Sequence, residues 1–217
     1  MKRVLIFALI FIAAVLFGYF ILKQPDPLPI YNPADINPDL VDPALQKKTR
    51  DHRVGEFTLI NQMGDTITEE KFEDKIYVAD FFFTRCQTIC PKMSSKMSEL
   101  QEEFEGNEKV MFLSHSVTPE ADSVSVLADY AVRYDVSPEQ WMLTTGAKEH
   151  IYKLAREDYF AVLDEGDGGA QDFIHTENFV LVDPDKRLRG FYDGTSSEDI
   201  EQLKKDIRNL LDEYEKE

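Results

Sequence analysis

Two cysteines occur in this chain of 217 residues, and three positions separate them in the run Cys86-Gln87-Thr88-Ile89-Cys90-Pro91. Thiol pairs at such a spacing can exchange disulfides, hold a soft metal ion or simply close a small loop. A structural disulfide across so short a loop would contribute only about 2 kcal/mol by chain entropy. Disulfide exchange usually employs C-x-x-C, one residue tighter. Thioredoxin-type sites also carry a proline before the strand that faces the thiols. The corresponding approach here reads Phe173-Ile174-His175-Thr176-Glu177-Asn178-Phe179, with a histidine and no proline. A metal is the third use. Two thiolates and an imidazole suit a soft or borderline ion. Cu(I) is content with two or three ligands, whereas structural zinc wants four. Copper, as Cu(I) or Cu(II), is the expected metal.

Four histidines could supply the imidazole. His52 ends a prolyl segment and reads as solvated. His150 lies among charged neighbours and reads as a surface residue. His115 ends an apolar strand beside the one that enters the cysteine loop, and His175 precedes a late strand across from the thiols. Spacing alone does not separate His115 from His175.

The elements that must position these groups alternate. Glu56 to Ile60 reads as a strand, with a turn through Asn61-Gln62-Met63-Gly64 into a second short strand. Lys75 to Phe83, rich in aromatic and β-branched residues, reads as a buried strand that delivers the cysteines. A helix is expected from Pro91 to Glu105, with Cys90 as its N-cap and Met93, Met97, Leu100 and Phe104 on one face. Pro91 suits the first helical position, and the helix dipole favours thiolates just before it. Further strands are expected over Lys109 to Val117 and Trp141 to Thr144, and helices over Glu120 to Tyr134 and Lys148 to Arg156. A hairpin is expected around Pro184-Asp185-Lys186, and a last helix capped by Ser196 or Ser197. Strands alternating with helices predict an α/β, thioredoxin-like fold.

Compartment can be read from the N-terminus. Lys2 and Arg3 precede the uncharged run Val4 to Leu22, long enough for a transmembrane helix and lacking an A-x-A cleavage pattern. The positive-inside rule places the chain beyond this run outside the cytoplasm. The expected organisation is a membrane anchor over 1–23, a Pro-rich tether over 24–52 and one globular domain over 53–217. No Arg-rich transit segment precedes the span, so the expected site is a bacterial inner membrane, single-pass, with the C-terminal domain in the periplasm. The chain carries −17, and −20 remains once Lys2, Arg3 and Lys23 are set aside. So acidic a surface argues against nucleic acid and against anionic lipid head groups as partners.

The run Phe81-Phe82-Phe83-Thr84-Arg85-Cys86, then Cys90-Pro91, a late His175 before a strand and a Pro184-Asp185 turn resemble the SCO/SenC family. The resemblance spans Val54 to the C-terminus. It implies a membrane-anchored, thioredoxin-fold metallochaperone that helps assemble the binuclear copper site of cytochrome c oxidase. Cys86, Cys90 and His175 would bind copper, and the partners would be a copper donor protein and the copper-binding subunit of the oxidase. The resemblance leaves open a thiol-disulfide oxidoreductase that keeps the target cysteines reduced through Cys86 and Cys90, and a copper or redox sensor. It does not imply a classical enzyme. The chain departs from the family pattern at Thr118, where an acid is common, at Ala121, at Ile174 and at His115, an apolar position in the family. Asp122 matches.

Overall fold

The computed structural model describes residues 51–162 and 174–215, with 27–33, Asp35 and a few isolated positions before residue 19. The apolar run Val4 to Leu22, most of the prolyl segment and the stretch Gly166 to Ala170 fall largely or wholly outside these residues. Among the described residues no helix is long and apolar enough to cross a membrane.

Among the described residues, seven strands form one sheet: β1 (Thr58–Asn61), β2 (Thr66–Thr68), β3 (Ile76–Phe82), β4 (Val110–Ser116), β5 (Trp141–Thr145), β6 (Asn178–Val182) and β7 (Leu188–Asp193). Their order is β2-β1-β5-β4-β3-β6-β7. The central trio β3, β4 and β5 is parallel, and antiparallel pairs flank it on both sides. Among the residues described from 51 onward, four α-helices pack on this sheet: α1 (Cys90–Glu103), α2 (Val124–Arg133), α3 (Lys148–Lys153) and α4 (Ser197–Tyr214). This is the mixed α/β, thioredoxin-like arrangement that the alternation of patterns predicts.

Residue parity sorts the core. Side chains alternate across a strand, so even and odd positions of β3 face opposite layers. Ile76, Val78 and Phe82 join Val110, Phe112, Trp141 and Leu143 under α1, α2 and α4. Tyr77, Ala79 and Phe81 join Met111, Leu113 and Met142 under α3 and the N-terminal strands. Helix α1 docks through Met93, Met97 and Leu100, all fully buried. Each such burial is worth about 1.5–3 kcal/mol, so this one stripe anchors the helix that carries Cys90. The methionines are core residues.

Ser196 caps α4 by accepting the Asp199 N–H at 3.3 Å, and Glu198 and Asp199 complement the helix dipole. Two helices differ from expectation. Helix α2 begins at Val124, four residues late, because Thr118 to Asp122 forms a separately bonded turn. Helix α3 gives way after Lys153 to a π-turn over Leu154–Asp158. At the far edge, Arg189 is fully buried. It pairs with Asp183 and Glu213, each at 2.9 Å, and donates to the carbonyls of Leu28 and Pro29. Tyr31 bridges Leu188, so residues 28–31 lie along β7.

Candidate thiol and metal centre

Strand β3 delivers the thiol loop and helix α1 receives it. The loop turns through a Cys86 N–H to Phe83 carbonyl bond of 3.2 Å. Ile89 is the N-cap, so Cys90 sits inside the first turn of α1, one residue deeper than expected. The first N–H groups of a helix have no partner within it. Here the Cys90 N–H points at Cys86 Sγ, 3.4 Å away, and the Thr88 hydroxyl lies 3.6 Å from the same sulfur. Both cysteines are free and buried.

The two thiols have opposite acidity. Burial pushes the Cys86 thiol up, but the Cys90 thiol, the backbone of Thr88 and Cys90 and the Thr88 hydroxyl all stabilise its thiolate. The net result is a drop to about 6. Burial and the hydrogen bond to the Cys86 sulfur drive Cys90 up, and the charges of Cys86 and Asp80 add to the rise. Cys86 is therefore the ready nucleophile or ligand, and Cys90 keeps its proton until something replaces it.

Asp80 is a member of this layer that sequence reasoning passed over. It is buried on the even-numbered face of β3, accepts a hydrogen bond from the Ser114 hydroxyl, and is pushed up to about 7 by burial, partly offset by that bond. Ser114 in turn accepts the Trp141 indole N–H at 2.8 Å. A signal exists in the sequence: Asp80 is the one charged residue within an otherwise apolar strand, a costly placement without a purpose.

Strand register separates the two candidate histidines. β4 runs parallel to and beside β3, as expected, but His115 pairs with Phe81 and so shares its odd-numbered face. The ring is fully buried, stacked on Phe81 with centroids 5.0 Å apart, and bordered by Phe57 and Tyr159. Thr144 Oγ1 donates to the Ser114 carbonyl, so at 3.1 Å it accepts from His115 Nδ1–H. Burial, with a smaller effect of His150, lowers the imidazole to about 3. His115 thus lies across the sheet from the thiols and outside their crevice. His175 lies on the approach to β6, exposed, with its ring 6.3 Å from that of Phe83 in the thiol loop. Among the described residues no three His, Cys, Asp or Glu side chains are gathered as a metal cage.

The remaining histidines are more enclosed than expected. His52 Nε2–H donates to the Asp158 carbonyl at 2.8 Å and the ring packs on Phe160, because the chain doubles back over the π-turn. His150 is half-buried, and its Nε2, like that of His115, is buried without a hydrogen-bond partner.

The chain and its fold have known relatives. The SCO1/SenC family profile matches residues 45–212. The crystal structure of a SCO1/SenC family lipoprotein from Bacillus anthracis is 30% identical, with a TM-score of 0.65 over 76% of this chain and 98% of that one. BsSco, a member of the Sco family of cytochrome c oxidase assembly proteins in which a disulfide switch was identified, is 31% identical. Its TM-score is 0.63 over 76% and 96% of the two chains. The crystal structure of Arabidopsis thaliana ScoI with copper bound is 25% identical, with a TM-score of 0.58 over 73% and 98%.

Proposed function

This chain belongs to the SCO1/SenC family, and from that membership we propose that it is a membrane-anchored copper metallochaperone assisting assembly of the binuclear copper site of cytochrome c oxidase. The observation that carries the reading is the unequal pair of free thiols at the head of α1. Cys86 offers a thiolate at neutral pH, and Cys90 releases its proton as the metal arrives, which makes uptake pH-dependent. His175 supplies the third ligand, entering from the start of β6 through the segment whose ring already neighbours Phe83. Copper is the cargo. A donor protein hands it over, and the copper-binding subunit of the oxidase takes it. Copper bound to the Arabidopsis relative supports the metal.

Residues 1–23 anchor the protein, 24–52 tether it and 53–217 form the copper-binding domain. The uncharged run Val4 to Leu22 and the flanking Lys2 and Arg3 support a bacterial inner membrane with the domain in the periplasm. The lipoprotein nature of the Bacillus anthracis relative is consistent with life at a membrane.

A second reading, a thiol-disulfide oxidoreductase that keeps the oxidase cysteines reduced, draws on the same asymmetry. A low Cys86 and a high Cys90 are the attacking and resolving halves of an exchange pair. Copper titration of the reduced full-length protein, followed by absorption and spin-resonance spectra, tests the first reading. One copper per chain with thiolate-to-Cu(II) charge transfer is expected. His175→Ala should weaken binding at least tenfold, and His115→Ala should leave it within twofold. Equal binding by His175→Ala, with loss in His115→Ala, would sink the ligand assignment. Turnover of a protein disulfide by a copper-free sample that takes no metal would favour the second reading.

A further inference from the structure

Behind the thiol loop lies a buried carboxylate that neither reading uses. Asp122 is fully buried, in the turn between β4 and α2. Three separate segments donate to it. From the thiol loop come the Thr84 backbone N–H at 3.2 Å and the Thr84 hydroxyl at 2.6 Å. From the end of β4 comes the Ser116 hydroxyl at 2.6 Å, and from the turn itself the Thr118 hydroxyl at 3.0 Å. Ser116 is also held in place, because its oxygen accepts the Thr118 N–H at 3.2 Å. Two of the four bonds end on Thr84, two residues before Cys86. A further backbone bond, Val117 N–H to the Phe82 carbonyl at 2.8 Å, ties the same two segments together just below.

A loop cannot hold a sulfur at a set distance from a helix N-terminus by covalent geometry alone. Each free loop residue carries backbone entropy that must be offset before its side chain is fixed. Hydrogen bonds to a carboxylate are stronger than those between neutral groups, and four of them converge here to immobilise the root of the loop. On the far side of the loop, the bonds from Cys90 N–H and the Thr88 hydroxyl reach Cys86 Sγ only at 3.4 and 3.6 Å. Contacts that long tolerate little drift before they are lost.

We infer that Asp122 is a positioning residue for the thiol pair: its carboxylate fixes Thr84 and thereby holds Cys86 Sγ against the first turn of α1. The inference rests on the thiol reading of the site, though not on copper. Both the stability of a Cys86–Cys90 disulfide and the reactivity of Cys86 depend on that placement, the first through effective concentration and the second through the donors aimed at the sulfur.

The test uses the full-length protein without metal. In Asp122→Ala the equilibrium constant for forming the intramolecular disulfide against glutathione should fall at least tenfold, and alkylation of Cys86 at pH 7 should slow by a similar factor. Asp122→Asn should stay within about threefold of the parent on both measures. Its amide oxygen can accept from Thr84 N–H, Ser116 and Thr118, and its NH₂ can donate to a turned Thr84 hydroxyl. Asp206→Ala is the control for mere loss of a buried carboxylate. Asp206 is buried on the same layer and accepts from Tyr192 and Gln202, away from the loop. It should lower stability and leave both thiol measures unchanged.

A folded Asp122→Ala within twofold of the parent on both measures would overturn the inference, as would an equal effect from Asp206→Ala. Should Asp122→Ala not fold, Thr84→Val removes one hydroxyl donor while keeping the backbone one. It should shift the disulfide equilibrium several-fold, and no shift there refutes the role. A parent protein that binds no copper would defeat the chaperone reading, yet the disulfide and alkylation measures would still decide Asp122.

Discussion

The two faces of the central sheet bury ionisable groups one residue apart in register, and they put them to opposite uses. On one face Asp80 pairs with Ser114 behind the thiols; on the other His115 stacks on Phe81 among aromatic rings. Both are sealed from water, yet burial shifts each toward its neutral form, so Asp80 rises to about 7 and His115 falls to about 3. The thiol face keeps charge close at hand. Asp80 presses on Cys90, four donors serve Asp122, and Cys86 is stabilised as a thiolate. The histidine face contains no thiol, and its rings serve packing. The two thiols therefore pack into one layer, and strand parity turns Asp80 toward it and His115 away from it.

The sharpest way to break this contrast is to compare the thiols themselves. At pH 7 iodoacetamide should modify Cys86 on the order of a hundredfold faster than Cys90, read by peptide mass spectrometry. Equal rates would mean that the loop does not separate their acidities.

Next in size is Asp80. Its folded pKa lies above its unfolded value of 3.8, so its contribution to stability is complete below about pH 4 and is lost as pH rises through about 7. Denaturant titrations should show Asp80→Asn removing a decline of about 3 kcal/mol between pH 5 and 8. An unchanged pH profile would deny that Asp80 titrates in that window.

His115 gives the smallest effect, of opposite sign. Its folded pKa is depressed below 6.5, so the stability it contributes is present above that value and is lost as pH falls toward about 3. His115→Phe should flatten a loss of about 2 kcal/mol between pH 8 and 5, with alkylation of Cys86 unaltered. A changed thiol reactivity in that variant would place His115 with the chemistry after all.

Much of this is legible without coordinates. The apolar run into Cys86, the 3-and-4 spacing of Met93, Met97 and Leu100, the Pro184-Asp185-Lys186 hairpin and the Ser196 cap are local signals, and each element forms where its pattern lies. The start of α2 is not legible, because a helical pattern at Glu120 cannot reveal that Thr118 and Asp122 bond to each other and to the thiol loop. His52 reads as solvated for a similar reason, since its partner Asp158 is 106 positions away.

Sequence alone determined the chemistry on offer: two soft sulfurs at the head of a helix, late and early histidines, and an acid stranded in an apolar strand. Those are properties of residue type and short spacing. Tertiary structure decided which of them meet. The register of β4 on β3 sent His115 to the far layer, and the closure of the β4–α2 turn brought Asp122 beneath Thr84. Both depend on pairing between segments distant in sequence. Because side chains alternate with a period of two, a one-residue slip would reverse every facing.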